Sequence, residues 1–362
     1  MAYTAIDDPE AYFQVKAYTG TGSEQSLTFD GDTDMQPDLV WLKNRTDARA
    51  PALVDSVRGA KKVLRSDTTE AEQTSDADKD FESFDSDGFT VSTPQTWNSM
   101  NESGDSLVAW CWKAGTSFTN DASATSVGDI DSTGSISTAA GISIMSYTGT
   151  GTADQSVAHG LGATPQFIII KNRTTAGYWC VTNPRFVSVS DPNILYLQET
   201  AAESDDTNIN GTTAPSSTVF GVDDYGAVNT SGDAHIAYCF AEKQGFSKFG
   251  TFTGNGNADG PFIYTGFKPA YLLLKQSSAS GEDWVVQDNK RDTFINPVDA
   301  NLYASANNAE VSGYRYCDFN ANGFKIRNSL TDYNQSGATY IYMAFAEAPF
   351  VTGSNGVPCN AR

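Results

Sequence analysis

Tyr147-Thr148-Gly149-Thr150-Gly151, followed by Pro165 and then by Phe167-Ile168-Ile169-Ile170-Lys171-Asn172-Arg173, is a stretch that this chain writes three times. The first copy is Tyr18-Thr19-Gly20-Thr21-Gly22, Pro37 and Leu39-Val40-Trp41-Leu42-Lys43-Asn44-Arg45; the third is Phe252-Thr253-Gly254-Asn255-Gly256, Pro269 and Tyr271-Leu272-Leu273-Leu274-Lys275-Gln276. In each copy the Lys stands six positions after the Pro. A fixed interval inside a longer unit marks a true internal repeat. Working outward, each copy continues through a variable stretch and a short apolar step: Val63-Leu64, Leu195-Tyr196-Leu197, and Leu302-Tyr303. Each then closes with Ser-Gly and an apolar run: Ser103-Gly104 before Leu107 to Trp112, Ser231-Gly232 before Ile236 to Phe240, and Ser336-Gly337 before Ile341 to Phe345. Aligned on the alanines Ala109, Ala237 and Ala344, the units are nearly equal in length, and each is large enough to bury a small core.

The apolar runs are four to six residues long, rich in Val, Ile, Tyr, Phe and Thr, and bounded by Gly, Pro or Asn. That is strand composition with turn punctuation. A run of that length, apolar at nearly every position, reads as a strand covered on both faces. Pro at the head of such a run suits the first residue of a strand. No stretch carries a sustained helical period. The expected fold is all-β: three tandem antiparallel β-sandwich repeats, jelly-roll or lectin-like in topology. The expected boundaries are an N-terminal arm at 1–16, repeat one at 17–114, a Ser/Thr/Gly-rich linker at 115–141, repeat two at 142–243, repeat three at 244–348, and a C-terminal tail at 349–362. The linker has weak alternation compatible with a hairpin laid on a neighbour. The near-absence of spacer between the second and third repeats predicts a stiff pair, with the first set apart.

The 362 residues hold 23 Lys and Arg against 44 Asp and Glu, a net charge of −21. Such a surface repels phosphate backbones and argues against a nucleic-acid partner. Five cysteines without paired spacing predict buried thiols rather than a disulfide framework, and assembly in a reducing cytoplasm. The opening residues lack the basic and apolar regions of a secretory leader, and no apolar run is long enough to cross a bilayer as a helix.

Candidate chemistry is sparse. His159 and His235 have no counterpart in the other copies and no nucleophile context. The Gly-x-Gly of each copy is followed by no helix, so it reads as a strand-end turn rather than a nucleotide fingerprint. Asp30, Asp32 and Asp34 alternate as in the first half of a calcium loop, but Met35 and Trp41 stand where that loop needs Gly and Glu. A looser calcium site there is the one cofactor expectation; otherwise none is expected, and no catalytic residue is assigned. Trp97, Trp179 and Trp284, with Tyr178, fall in variable stretches and are the candidates for stacking on a sugar. Lys43, Lys171 and Lys275 read as solvent-facing residues that discourage edge pairing.

Beyond the repeat itself, Pro37-Asp38-Leu39-Val40-Trp41-Leu42-Lys43-Asn44-Arg45, Asp55-Ser56-Val57-Arg58-Gly59, Phe84-Asp85-Ser86-Asp87-Gly88-Phe89 and Ala344-Phe345-Ala346-Glu347-Ala348-Pro349-Phe350 are distinctive. They resemble a domain of unassigned function in virion proteins of tailed bacteriophages, notably marine ones, over nearly the whole chain. The resemblance implies a non-enzymatic structural protein on the particle surface, tail-associated as a fibre or receptor-binding type, assembled in the bacterial cytoplasm. The expected partners are other virion proteins and further copies, by analogy as a homotrimer, with host surface glycan as a ligand. A capsid decoration or head-fibre protein is the alternative, and a polysaccharide depolymerase the third reading.

Overall fold

The computed structural model describes residues 3–95, 100–292, 296–353, 356 and 358. The fold is nearly all β, and among the described residues every ladder between two strands is antiparallel. One order recurs three times. In the first segment it runs Phe13–Thr19, Ser106–Trp112, Leu39–Asn44, Ala52–Asp55, Lys62–Arg65. In the second it runs Ile142–Thr148, Ala234–Phe240, Phe167–Asn172, Trp179–Thr182, Leu195–Tyr196; in the third, Ser247–Thr253, Thr339–Pro349, Phe267–Gln276, Val285–Asp288, Leu302–Tyr303. The strand after the Pro therefore lies inside the sheet, between the closing strand and the fourth strand. The linker supplies Thr116–Asn120 and Ser132–Ser137, a hairpin that extends the second sheet beyond its opening strand.

Each large sheet meets a smaller one: Gln25–Leu27, Gly88–Val91 and Phe81–Asp85; Gln155–Ala158 and Val219–Val222; and Phe262–Tyr264, Gly323–Ile326 and Cys317–Asn320. Between the layers sit three separate cores. Val40, Leu42 and Cys111 meet Phe81 and Phe89 in the first, Ile168, Ile170 and Cys239 meet Phe220 in the second, and Leu272 and Leu274 meet Phe324 in the third. The alternate residues of the same strands point the other way, into a fourth core that all three segments share. This is why the central strands are apolar at every position: both faces are covered.

At the centre of the shared core stand Trp112, Phe240 and Phe345, which occupy equivalent registers opposite Leu39, Phe167 and Tyr271. Their rings touch pairwise, with centroids 6.4, 5.9 and 5.7 Å apart. Three register-equivalent rings, one from each segment, thus meet one another in the shared core. The expectation of a separate first segment beside a stiff pair is therefore corrected: all three contribute to one interior. The N-terminal arm also docks within the chain. Ile6 enters the shared core, and the Thr4 hydroxyl donates to the Gln244 carbonyl.

The repeated glycines are explained by close approach. A Cβ on Gly20, Gly149 or Gly254 would lie 2.0, 2.2 and 2.2 Å from the carbonyl oxygens of Glu102, Thr230 and Gln335. An Asn holds each turn from the far end of the unit. Asn101, Asn229 and Asn334 accept from the backbone N–H of Thr21, Thr150 and Asn255. Two sequence alignments need correction in the third segment. Register places Tyr342, not Ala344, opposite the residue equivalent to the partners of Ala109 and Ala237. Pro269 lies inside its strand at a bulge, whereas Pro37 and Pro165 precede theirs.

Candidate functional site

Polar chemistry concentrates at the seams where one segment's variable loop reaches the next. Glu72 of the first segment donates its N–H to the Arg173 carbonyl of the second, at 2.9 Å. Glu203 of the second donates to Ser277 of the third at 2.8 Å, and Glu310 of the third returns to Arg45 of the first at 2.9 Å. The three seams thus close a ring.

The repeated lysines lie at these seams. Lys43, Lys171 and Lys275 are 1%, 0% and 0% exposed, in central strands, which corrects the reading of them as solvent-facing edge residues. Lys171 Nζ donates to the Thr69 carbonyl across the first seam and to Gly177 O, at 3.1 and 3.0 Å. Lys275 Nζ does the same with Thr200 O across the second and Glu282 O. Lys43 Nζ donates to Arg49 O. Burial pulls all three ammonium groups down to about 8. Their carbonyl partners explain how a cation survives there: each bond is charge-assisted.

Two seams add a buried ion pair. Asp55 holds Arg58 Nε at 2.5 Å, both side chains fully buried, and accepts from the Tyr238 hydroxyl of the second segment at 2.7 Å. Asp288 holds Arg291 Nε at 2.6 Å and accepts from the Trp110 indole of the first segment at 2.8 Å. Tyr238 and Trp110 are register equivalents. Glu72 and Glu310 each join two arginines: Arg58 with Arg173, and Arg291 with Arg45. At the second seam register puts Asn183 and Met343 at these places, and Glu203 pairs with Arg185 instead. The Asp-Ser-Val-Arg wording was visible in the sequence, but nothing local said that its partner is a tyrosine far along the chain.

The sugar-stacking candidates separate. Trp179 and Trp284 are 0% exposed and belong to the seams, so they present no ring to a ligand. The Trp179 indole donates to Arg65 O and Thr68 O, and Trp284 to Tyr196 O. Tyr178 is 38% exposed. Trp97 lies outside the described residues. Asp30, Asp32 and Asp34 are exposed and are not drawn together; an Asp30 oxygen is taken by Lys16 at 2.8 Å. Among the described residues no group of three or more His, Cys, Asp or Glu could hold a metal ion. His159 and His235 are buried, and burial draws both below the usual imidazole range, His235 to about 4. Cys111, Cys180, Cys239 and Cys317 are buried free thiols; Cys359 lies outside the described residues. No helix among the described residues is long and apolar enough to cross a membrane.

These observations define an all-β body of antiparallel sheets closed around a shared interior, with its buried charges at the joins. The chain belongs to the family described as domain of unknown function DUF7483, whose pattern matches residues 8–349. No curated protein and no solved structure matches it.

Proposed function

We propose that this chain is a non-enzymatic structural protein of a tailed bacteriophage particle, exposed on the virion and tail-associated, of fibre or receptor-binding type. In this reading the chain is three tandem β-sandwich repeats closed into a ring, its partners are other virion proteins and further copies, and host surface glycan is its ligand. The observation that carries it is the use made of the buried charges. Lys43, Lys171, Lys275, Arg58 and Arg291 all bond to backbone carbonyls or carboxylates, and they and the glutamates Glu72 and Glu310 join one segment to another or brace such a join. Groups committed in that way make a rigid body. The wording shared with virion proteins supplies the particle, and the acidic surface suits a protein that stays dispersed until assembly. Antibody labelling of purified particles, followed by electron microscopy, tests the reading. Density on the tail is expected. Density on tailless heads favours the capsid-decoration alternative, and absence from the particle contradicts both.

A further inference from the structure

We infer that the depression walled by Tyr178 and Tyr225, on the seam between the first and second segments, binds an uncharged pyranose ring of a glycan. The inference deepens the glycan contact proposed above and rests on that reading only for the source of the sugar. The depression measures about 370 Å³ and is floored by Thr69, Ala176, Gly177, Gly226 and Ala227. Small residues and backbone leave room between two aromatic walls, the arrangement that apolar sugar C–H faces need.

Both walls are held before any ligand arrives. Tyr178 packs on Tyr196 with centroids 4.9 Å apart, and the Tyr196 hydroxyl is fixed by donating to Asp206 at 2.7 Å. Tyr225 sits at the start of the short helix Gly226–Asn229, and its partly buried side chain packs against the second core. The floor is equally fixed: Gly177 donates its N–H to Thr69 O at 2.8 Å, and the Lys171 ammonium ties the carbonyls of both residues. Ordering two side chains on binding is therefore largely avoided.

The repeat provides an internal control. One position before the seam tryptophan, the third segment carries Asp283 where the second has Tyr178, and the first carries Ala50. At the start of the short helix, the third carries Leu330 where the second has Tyr225. The fold thus does not require this pair of tyrosines. Charge selects the occupant. Burial above all, then the neighbouring Cys180, Asp206, Tyr178 and Glu199, pushes the Tyr225 phenol up to about 12. With a net charge of −21 in addition, an anionic sugar is repelled.

Saturation-transfer NMR of the full chain with methyl glucopyranoside, methyl galactopyranoside and methyl N-acetylglucosaminide tests this, with N-acetylneuraminic acid as the anionic probe. Transfer is expected to at least one neutral probe and not to the acid. It should fall roughly tenfold or more in Tyr178→Ala and in Tyr225→Ala, as expected for anchor residues. It should persist in Phe262→Ser, which alters an exposed aromatic elsewhere and matches Ser26 and Ser156 at the equivalent register. An unchanged thermal midpoint shows that each variant is folded. Gly177→Leu, in a backbone conformation open to any residue, fills the depression and should block transfer while leaving both tyrosines in place. Transfer to none of the neutral probes, or transfer that survives all three site variants, overturns the inference. Binding by a protein found absent from particles would contradict the virion reading and leave this one standing.

Discussion

The first and second seams do the same task with different chemistry. At the first, Asp55 and Arg58 are fully buried together and reach across to Tyr238. At the second, Asn183 stands in place of Asp55, its amide donates to the Asn193 carbonyl, and the arginine pairs with Glu203 while one-third exposed. Yet Glu72 and Glu203 make the same backbone bond to the next segment, and Lys171 and Lys275 the same bonds to carbonyls. The comparison teaches that closure rests on the apolar interior and the backbone bonds. The buried ion pair is an addition that fixes which surfaces meet, because desolvation offsets much of its attraction.

The largest expected effect comes from the three rings that meet in the shared core. Trp112→Ala removes a ring that touches both Phe240 and Phe345, and should cost about 3–5 kcal/mol in urea unfolding. Substituting Phe345 should cost a similar amount; a loss confined to one segment would break the equivalence of the three.

Arg58→Met leaves Asp55 buried and uncompensated and should cost about 3–5 kcal/mol. The double variant Asp55→Asn with Arg58→Phe copies Asn183 and Phe186 of the second segment and should regain most of the loss. Failure to regain it would mean that the first seam depends on its charges in a way the second does not.

The lysines sharpen the comparison, since all three seams share them. Their folded value of about 8 lies below the unfolded value. Between those values the unfolded chain holds more protons, so each lysine's contribution to stability rises with pH from about 8 upward and is smallest below 8. The stability advantage of the wild type over Lys171→Met should therefore grow by roughly 2 kcal/mol between neutral pH and about pH 10. A flat difference would show that the ammonium is not desolvated. The smallest effect expected is that of Tyr238→Phe, about 1 kcal/mol, the loss of one buried hydrogen bond to Asp55.

Strand chemistry was readable in the sequence because it is local. The Thr-Gly-x-Gly turn, the run after the proline and the Ser-Gly before the closing strand all appear where their wording placed them. Apolar residues at every position of Leu39 to Leu42 correctly indicated two covered faces, without saying that the second cover is the other two segments. Closure was hidden because its contacts join residues as distant as Trp110 and Asp288. Lys43, Lys171 and Lys275 were misread for the same reason. A lysine at a strand end resembles an edge guard until the flanking strands on both sides are known. The third closing strand, Thr339–Pro349, starts at the register of its counterparts but carries Tyr342 where they carry Ala109 and Ala237, so matching by residue type to Ala344 slipped the register. The tryptophans near the variable loops attracted a sugar-binding reading through residue type, while burial takes Trp179 and Trp284 away from the surface and leaves Tyr178 exposed.

Native-state hydrogen exchange of the three closing strands, Ser106–Trp112, Ala234–Phe240 and Thr339–Pro349, tests most directly whether the segments form one body. The shared interior predicts that their slowest amides open with the same free energy, to within about 0.5 kcal/mol, and move together in denaturant. A first strand that exchanges through its own, lower-energy opening would contradict it.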